Sequence, residues 1–385
     1  MSRRKVEILY FIDHIDGPGG TERHLSYLVT LLDKARFKCS IVVFDLVPNV
    51  LVDALVAQGV EIHHIPVARY YVPNALRKAL VIRRYIKNNK IDIVQTYHYK
   101  SDIYACLIAW FSGVKYLISS KRDVADFKGS FNFFLHRLVR PLVDRYIVVS
   151  DVVADVIVSK ERADRRKIVK IYNGVNLEGY QVPTVAAKLA AKAALGLTGA
   201  DFVIGMVAWM RPEKDHMLLL TAFKKIREQI NNAKLVLIGD GPHSEEYKEW
   251  VAAKRLNDDV KFLGMVNDVK PFVAAFDVAC LVPKGNEGFS NSILEKMAMG
   301  LPVVVTDVGG NREAVEHGVN GFVIEPGALQ SLVDCLQLLA RDRQQLEQMG
   351  IASRQRVERL FSLQQMIRRH EELYTALVTG EAAIA

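Results

Sequence analysis

Two carboxylates, Glu287 and Glu295, stand eight residues apart in the stretch GNEGFSNSILEKMAMG at 285–300. Between them a loop turns into a helix. Gly285 and Gly288 free the loop backbone, and Ser290, Asn291 and Ser292 are all competent caps. Ile293, Leu294, Met297 and Ala298 then repeat at helical spacing until Gly300 ends the run. The amides of Gly288, Phe289, Ser290 and Asn291 therefore point at whatever lies before the helix. Unpaired N–H groups and the helix dipole favour a phosphate there. Glu287 lies in a loop expected to follow a buried strand, where a carboxylate can bond sugar hydroxyls; an exposed loop glutamate is the plain alternative. Ser292-x-x-Glu295 also fits a capping box, which would turn Glu295 back onto its own helix.

Other clusters sit at predicted strand ends. Arg211-Pro212-Glu213-Lys214 places two cations one turn apart, which suits a diphosphate, although Pro212 also fits an ordinary charged helix start. Gly17-Pro18-Gly19-Gly20-Thr21-Glu22 follows the first strand, and its glycines let a backbone approach a phosphate closely. It has neither the dinucleotide spacing nor the Lys-Ser/Thr ending of a P-loop, so a tight turn explains it equally well. His98, in Thr96-Tyr97-His98-Tyr99-Lys100, can bond a substrate hydroxyl or move a proton, or be structural. Ser119-Ser120-Lys121-Arg122-Asp123 lines an acceptor pocket or a solvated loop. Phe131–Arg140 interleaves aromatic and basic residues as a helix on an anionic membrane does; a core helix with a basic outer face has the same pattern.

These residues need a scaffold of alternating strands and helices. Strands are expected at 6–12, 40–45, 61–65, 91–95, 115–119 and 145–149, with helices at 21–34, 50–58, 75–88 and 101–112. After an Ala-rich linker at 181–200 the alternation resumes, with strands at 202–208, 234–239, 260–264, 278–283, 302–306 and 321–325. Helical segments at 328–348 and 354–378 close the chain. The fold class is α/β: two doubly wound, Rossmann-like domains at 1–185 and 186–353, facing across a cleft, with a terminal helix at 354–385 crossing back.

The 385 residues are half hydrophobic, enough for two cores, and no run reaches the ~18 apolar residues of a membrane span. Asp13, His14 and Asp16 interrupt the first apolar stretch, against a signal peptide. Cys39, Cys106, Cys280 and Cys335 are scattered, without metal-type spacing, as in a reducing cytoplasm. Residues 1–185 hold 28 Lys+Arg against 18 Asp+Glu, and the remainder 23 against 25. The positive excess thus belongs to the first half, whose partner should be anionic. No zinc-finger or RNA-recognition signature marks nucleic acid as that partner.

The E-x7-E segment, GLPVVVTDVGGNREAVEHGVNGFVIEPG at 300–327, IYNGVN at 171–176, LIGDGP at 237–242 and VAWMRPEKDH at 207–216 together resemble the family 4 glycosyltransferases. The resemblance implies the GT-B fold, transfer with retention of anomeric configuration, and neither cofactor nor metal. The donor would be a nucleotide sugar, a UDP-sugar first and a GDP-sugar second. Glu287 would bond the donor sugar, Glu295 the ribose, and Arg211 and Lys214 the diphosphate. Amides of Gly19, Gly20 and Phe289–Asn291 would help, and His98 would meet the sugar. Tyr97, Lys121 and Arg122 would contact the acceptor, a glycan or a lipid-linked sugar in envelope polysaccharide or lipopolysaccharide assembly. The setting would be the cytoplasm or the cytoplasmic face of an anionic inner membrane. Two positions depart from the family pattern: Trp209 stands where many members carry the phosphate-binding arginine, and Gln95 and Tyr97 replace a His-x-His pair. A nucleotide-sugar epimerase of the same fold and a non-catalytic sugar-nucleotide scaffold are the rival readings.

Overall fold

The computed structural model describes residues 4–17, 19–67, 73–124, 130–285 and 287–381. The chain divides into two compact units, 1–173 with 364–385, and 174–363.

In unit 1 the order is β1 (Val6–Ile15), α1 (Gly20–Leu31), β2 (Phe37–Leu46), α2 (Val50–Ala57), β3 (Glu61–His64), α3 (Pro73–Asn89) and β4 (Ile93–Tyr97). There follow α4 (Tyr99–Ser112), β5 (Tyr116–Lys121), α5 (Ser130–Val139), β6 (Arg145–Val148), α6 (Asp151–Lys160) and β7 (Ile168–Lys170). All strand pairs are parallel, in the order β3-β2-β1-β4-β5-β6-β7. β7 was not expected from the sequence. Its three residues IVK are all half-buried and have no apolar run to announce them.

Unit 2 contains α7 (Val185–Ala194), β8 (Phe202–Val207), α8 (His216–Arg227), β9 (Ala233–Ile238), α9 (Ser244–Ala253), β10 (Val260–Phe262) and α10 (Lys270–Val273). It continues with β11 (Val278–Leu281), α11 (Asn291–Ala298), β12 (Val303–Thr306), α12 (Asn311–Ala314), β13 (Gly321–Ile324), α13 (Leu329–Arg341) and α14 (Arg343–Leu360). Its sheet runs β10-β9-β8-β11-β12-β13, again parallel. In both sheets the order reverses beside the first strand of the unit, and ligands bind outside the strand C-termini at such reversals.

The expected helices at 328–348 and 354–378 are three. Asp342 ends one and caps the next through its carboxylate on the Gln345 amide at 2.9 Å. α14 stays with unit 2, where Val175 and residues 361–363 exchange backbone hydrogen bonds. Only α15 (Leu363–Thr379) returns to unit 1. It is held there by a buried chain of hydrogen bonds: Tyr374 donates to Gln95 Oε1 at 2.7 Å and lies 3.2 Å from the Tyr10 hydroxyl. Gln95 Nε2 in turn donates to Tyr97 and Ser120.

Candidate functional site

In unit 2 the two predicted cation and carboxylate sites converge. Lys214 Nζ donates to Glu287 Oε2 at 2.5 Å. The Lys284 amide also donates to the Glu213 carbonyl at 2.8 Å, so the loop after β8 and the loop after β11 are tied twice. Asp215, at φ 50°, breaks the chain between Lys214 and α8 and caps that helix at the Leu218 amide. Behind the site, Gly239 and Gly241 take φ values of 129° and 156° against the carbonyls of Ala208 and Met210. Side chains there would push the 208–211 segment out of place. This gives the GDG motif a structural role that its sequence did not reveal.

The Glu287 loop is held from below. Gly309, at φ 57°, lies so close to the Glu287 carbonyl that a Cβ would stand 1.7 Å from its oxygen. The Gly310 amide donates to the Gly288 carbonyl at 2.8 Å. α11 begins as expected, but its cap is Ser290, whose hydroxyl accepts from the Ile293 amide at 3.4 Å. The capping-box reading of Ser292 and Glu295 is therefore corrected. Ser292 instead donates to the Val207 carbonyl at 2.8 Å, fastening α11 to the end of β8. Glu295 is buried, with Lys296 Nζ at 3.5 Å. The Phe289 side chain packs on Phe361 in the core, so only its backbone faces the site. Arg211 is exposed and its guanidinium lies over Trp209, 5.8 Å from the ring centre. The departure at Trp209 thus supplies a platform for the arginine two residues on. Buried His216, next to Lys214, is pushed down to about 4 by burial first and the lysine second.

Unit 1 has its own cavity of about 180 Å³ at the C-terminal ends of β1, β4 and β5, lined by Asp13, His14, His98, Lys121 and Arg122 among others. His98 carries a positive φ of 70° and its ring stacks on His14 at 4.6 Å. The Asp13 carboxylate, reaching over from β1, accepts from the Lys100 and Ser101 amides at 2.8 and 2.7 Å. It caps α4 and so fixes where His98 stands. Burial raises the Asp13 carboxyl despite these two amides. Ligating atoms of His14, Glu22 and His98 lie within 4.8 Å of one another, close enough to share an ion or a polyhydroxyl ligand.

The remaining sequence candidates in unit 1 separate. Tyr97 is corrected: it is fully buried, accepts from Gln95 and does not line the cavity, because strand alternation turns it with Gln95 toward α15. Lys121 lines the cavity, but its buried ammonium is held by Asp102 at 2.8 Å and Glu161 at 2.9 Å. Arg122 donates to Asn173 at 2.6 Å. Gly19 caps α1, with Gly20 as its first residue, yet the Glu22 carboxylate folds back over Gly19 where a Cβ would meet it at 2.2 Å. The start of α1 therefore already carries an acidic group.

The comparisons with known proteins cover both units. A model described as Glycosyltransferase Family 4 matches residues 18–178, and one described as Glycosyl transferases group 1 matches residues 188–356. The UDP-Gal:alpha-D-GlcNAc-diphosphoundecaprenol alpha-1,3-galactosyltransferase of Escherichia coli is 26% identical, over 82% of this chain and 85% of its own. The capsular polysaccharide biosynthesis glycosyltransferase CapM of Staphylococcus aureus is 27% identical, over 66% and 67%. The solved structure of Anabaena Alr3699/HepE in complex with UDP has a TM-score of 0.86 at 20% identity, over 96% of this chain and all of that one. Two parallel α/β units of this order, each matched by the corresponding model, make the chain a GT-B glycosyltransferase belonging to family 4.

Proposed function

We propose that the chain moves a hexose or N-acetylhexosamine from a UDP-sugar to a glycan or lipid-linked acceptor in envelope polysaccharide assembly, with retention and without a metal. The observation that carries this reading is the Lys214–Glu287 pair beside the Ser290-capped start of α11. It joins a cation for a diphosphate, a carboxylate for sugar hydroxyls and a helix N-terminus on one strand edge. The relatives support the substrates: the name of the E. coli enzyme states a UDP-sugar donor and a diphosphoundecaprenol acceptor, and HepE was solved with UDP.

Breaking the bond from the anomeric carbon to phosphate leaves charge on the nucleoside diphosphate. Arg211, Lys214 and the α11 amides stabilise that charge more in the transition state than in the bound donor. The acceptor oxygen forms the new bond on the same face, and its proton passes to the leaving phosphate. Glu287 holds the sugar hydroxyls and faces the positive charge that develops on the ring. Glu295 meets the ribose. In unit 1 the cavity around His98 and Arg122 takes the acceptor. The protein works in the cytoplasm or at the cytoplasmic membrane face.

The double variant Arg211→Ala/Lys214→Ala tests the reading. Transfer from the UDP-sugar that gives the largest thermal shift should fall at least about a hundredfold, with the melting temperature little changed. Undiminished transfer would overturn it.

A further inference from the structure

α3, α4 and α5 lie side by side on one face of the unit 1 sheet, as right-handed crossovers from β3 to β6 require. The inner faces of α3 and α4 meet the sheet in one core: Ile82 and Ile86 of α3 and Tyr104 and Ile108 of α4 pack with Leu9, Phe11, Val94 and Leu117. Their outer faces are therefore turned away from the sheet together. Each of those outer faces exposes large apolar side chains at helical spacing. On α4, Leu107, Trp110 and Phe111 form a stripe at i, i+3 and i+4, with Trp110 53% and Phe111 65% exposed. On α3, Leu76 and Leu80 are exposed one turn apart, and on α5 so are Phe134 and Leu138. The Tyr104 hydroxyl donates to the Ala75 carbonyl and Tyr99 donates to Asn132, so the three helices are locked in register.

The same face is cationic at one end. The outer stripe of α3 continues from Leu76 and Leu80 into Arg83, Arg84 and Lys87, all exposed, and Lys115 follows α4. Among the described residues no acidic side chain lies on α3, and α4 has Asp102 alone, buried against Lys121. Large exposed aromatics beside Arg and Lys, without acidic residues between them, match a bilayer interface: rings at the headgroup level and cations on acidic lipid. No helix among the described residues is long and apolar enough to cross a membrane, so the contact is one of surface docking.

We infer that the α3–α4–α5 face of unit 1 docks the protein on an anionic phospholipid surface, with Trp110 and Phe111 as the inserted anchors and Arg83, Arg84 and Lys87 on the lipid phosphates. The inference deepens the reading of unit 1 as the acceptor-handling unit, since a lipid-linked acceptor lies at such a surface. It also moves the weight of the contact from 131–140 to α4: His136 of that segment is buried, Arg137 and Arg140 are held by the Lys160 and Arg162 carbonyls, and the Phe131 side chain lies outside the described residues.

The test is co-sedimentation of the full chain with vesicles of phosphatidylcholine alone or mixed with phosphatidylglycerol. Three proteins are compared: the parent, Trp110→Ser/Phe111→Ser, and Arg83→Glu/Arg84→Glu/Lys87→Glu. All changed residues are exposed, and UDP binding by calorimetry confirms that each variant is folded. The parent should bind the mixed vesicles and be released as salt rises from about 0.1 M to about 1 M. Each variant should bind at least about tenfold more weakly. Equal binding by parent and variants, or none by the parent at low salt, would overturn the inference. So would a parent dimer in solution that Trp110→Ser/Phe111→Ser converts to monomer, because a second copy would then be the occupant. Sugar transfer to a water-soluble acceptor should survive in both variants, which separates failure of the docking from failure of the transferase reading.

Discussion

Among single residues, the position with the most leverage on the Glu287 loop is one that does no chemistry. Gly309 sits under Glu287 with a left-handed φ and no room for a side chain. Replacing it with alanine forces the Glu287–Gly288 backbone to move, and misplacement on the order of 1 Å at a binding carboxylate costs about a hundredfold in rate. Gly309→Ala should therefore raise the KM for the donor and lower kcat while α11 and the sheet remain folded. Steady-state kinetics beside a thermal melt will show this, and a variant with parental KM and kcat would count against Glu287 as a donor ligand. The histidines give a second expectation at this scale. His370 and His216 are buried and held down to about 4, chiefly by burial, from an ordinary value near 6.5. His370 donates through Nδ1 to the Met366 carbonyl and faces His24, itself buried and depressed. Both are neutral in the folded chain, whereas in the unfolded chain they take up protons below pH 6.5. Their stabilising contribution is complete above that pH and is lost as pH falls toward 4, on the order of 3 kcal/mol each at the acid end. Asp13 and Glu22, both raised by burial, act with the opposite sign at the acid end of that window. Urea titrations at pH 7.5 and 5 should show the loss, and His370→Phe/His216→Phe should flatten it; a parent midpoint independent of pH would refute it.

For the secondary-structure elements, what matters is how α4, α5 and α6 are tied together under the unit 1 cavity. Lys121, at the end of β5, is buried between Asp102 of α4 and Glu161 at the end of α6, with His136 of α5 at 3.4 Å. The two carboxylates lift the Lys121 ammonium well above its ordinary range in spite of burial, which acts the other way. Removing the cation leaves two buried carboxylates facing each other. Lys121→Met should cost on the order of 3–5 kcal/mol in chemical denaturation. A loss below about 1 kcal/mol would mean that the network is not a structural tie. The same scale explains Tyr97 and Gln95. They serve α15 rather than a ligand, and they do so through a helix more than 270 residues away in the chain, Tyr374 to Gln95.

At the scale of the whole molecule, part of the positive excess of the first half, Arg83, Arg84, Lys87 and Lys115, lies along α3 and beyond α4, on the same helices as an exposed aromatic stripe; another part, Arg162, Arg165, Arg166 and Lys167, follows α6. Unit 2 holds the paired cation and carboxylate, and unit 1 the histidine-lined cavity and the apolar face.

Much of this was legible in the order of residues alone. Alternating apolar runs and amphipathic helices specify two parallel sheets because both patterns are local. The Glu287–Gly300 segment announces its own loop, cap and helix for the same reason. The E-x7-E spacing and its neighbours led to the family. What the sequence left open depends on contacts between distant segments. Ser290 was chosen over Ser292 as the cap because Val207 claims the second hydroxyl. Tyr97 was withdrawn from the acceptor candidates by Tyr374 and Gln95, and Lys121 was engaged by Asp102 and Glu161. Gly309 acquired its importance from a carbonyl in another loop. A side chain's type and its local backbone are written in the neighbouring residues; which partner neutralises it, and so whether it is left for a ligand, is decided only when the strands bring remote loops to one edge.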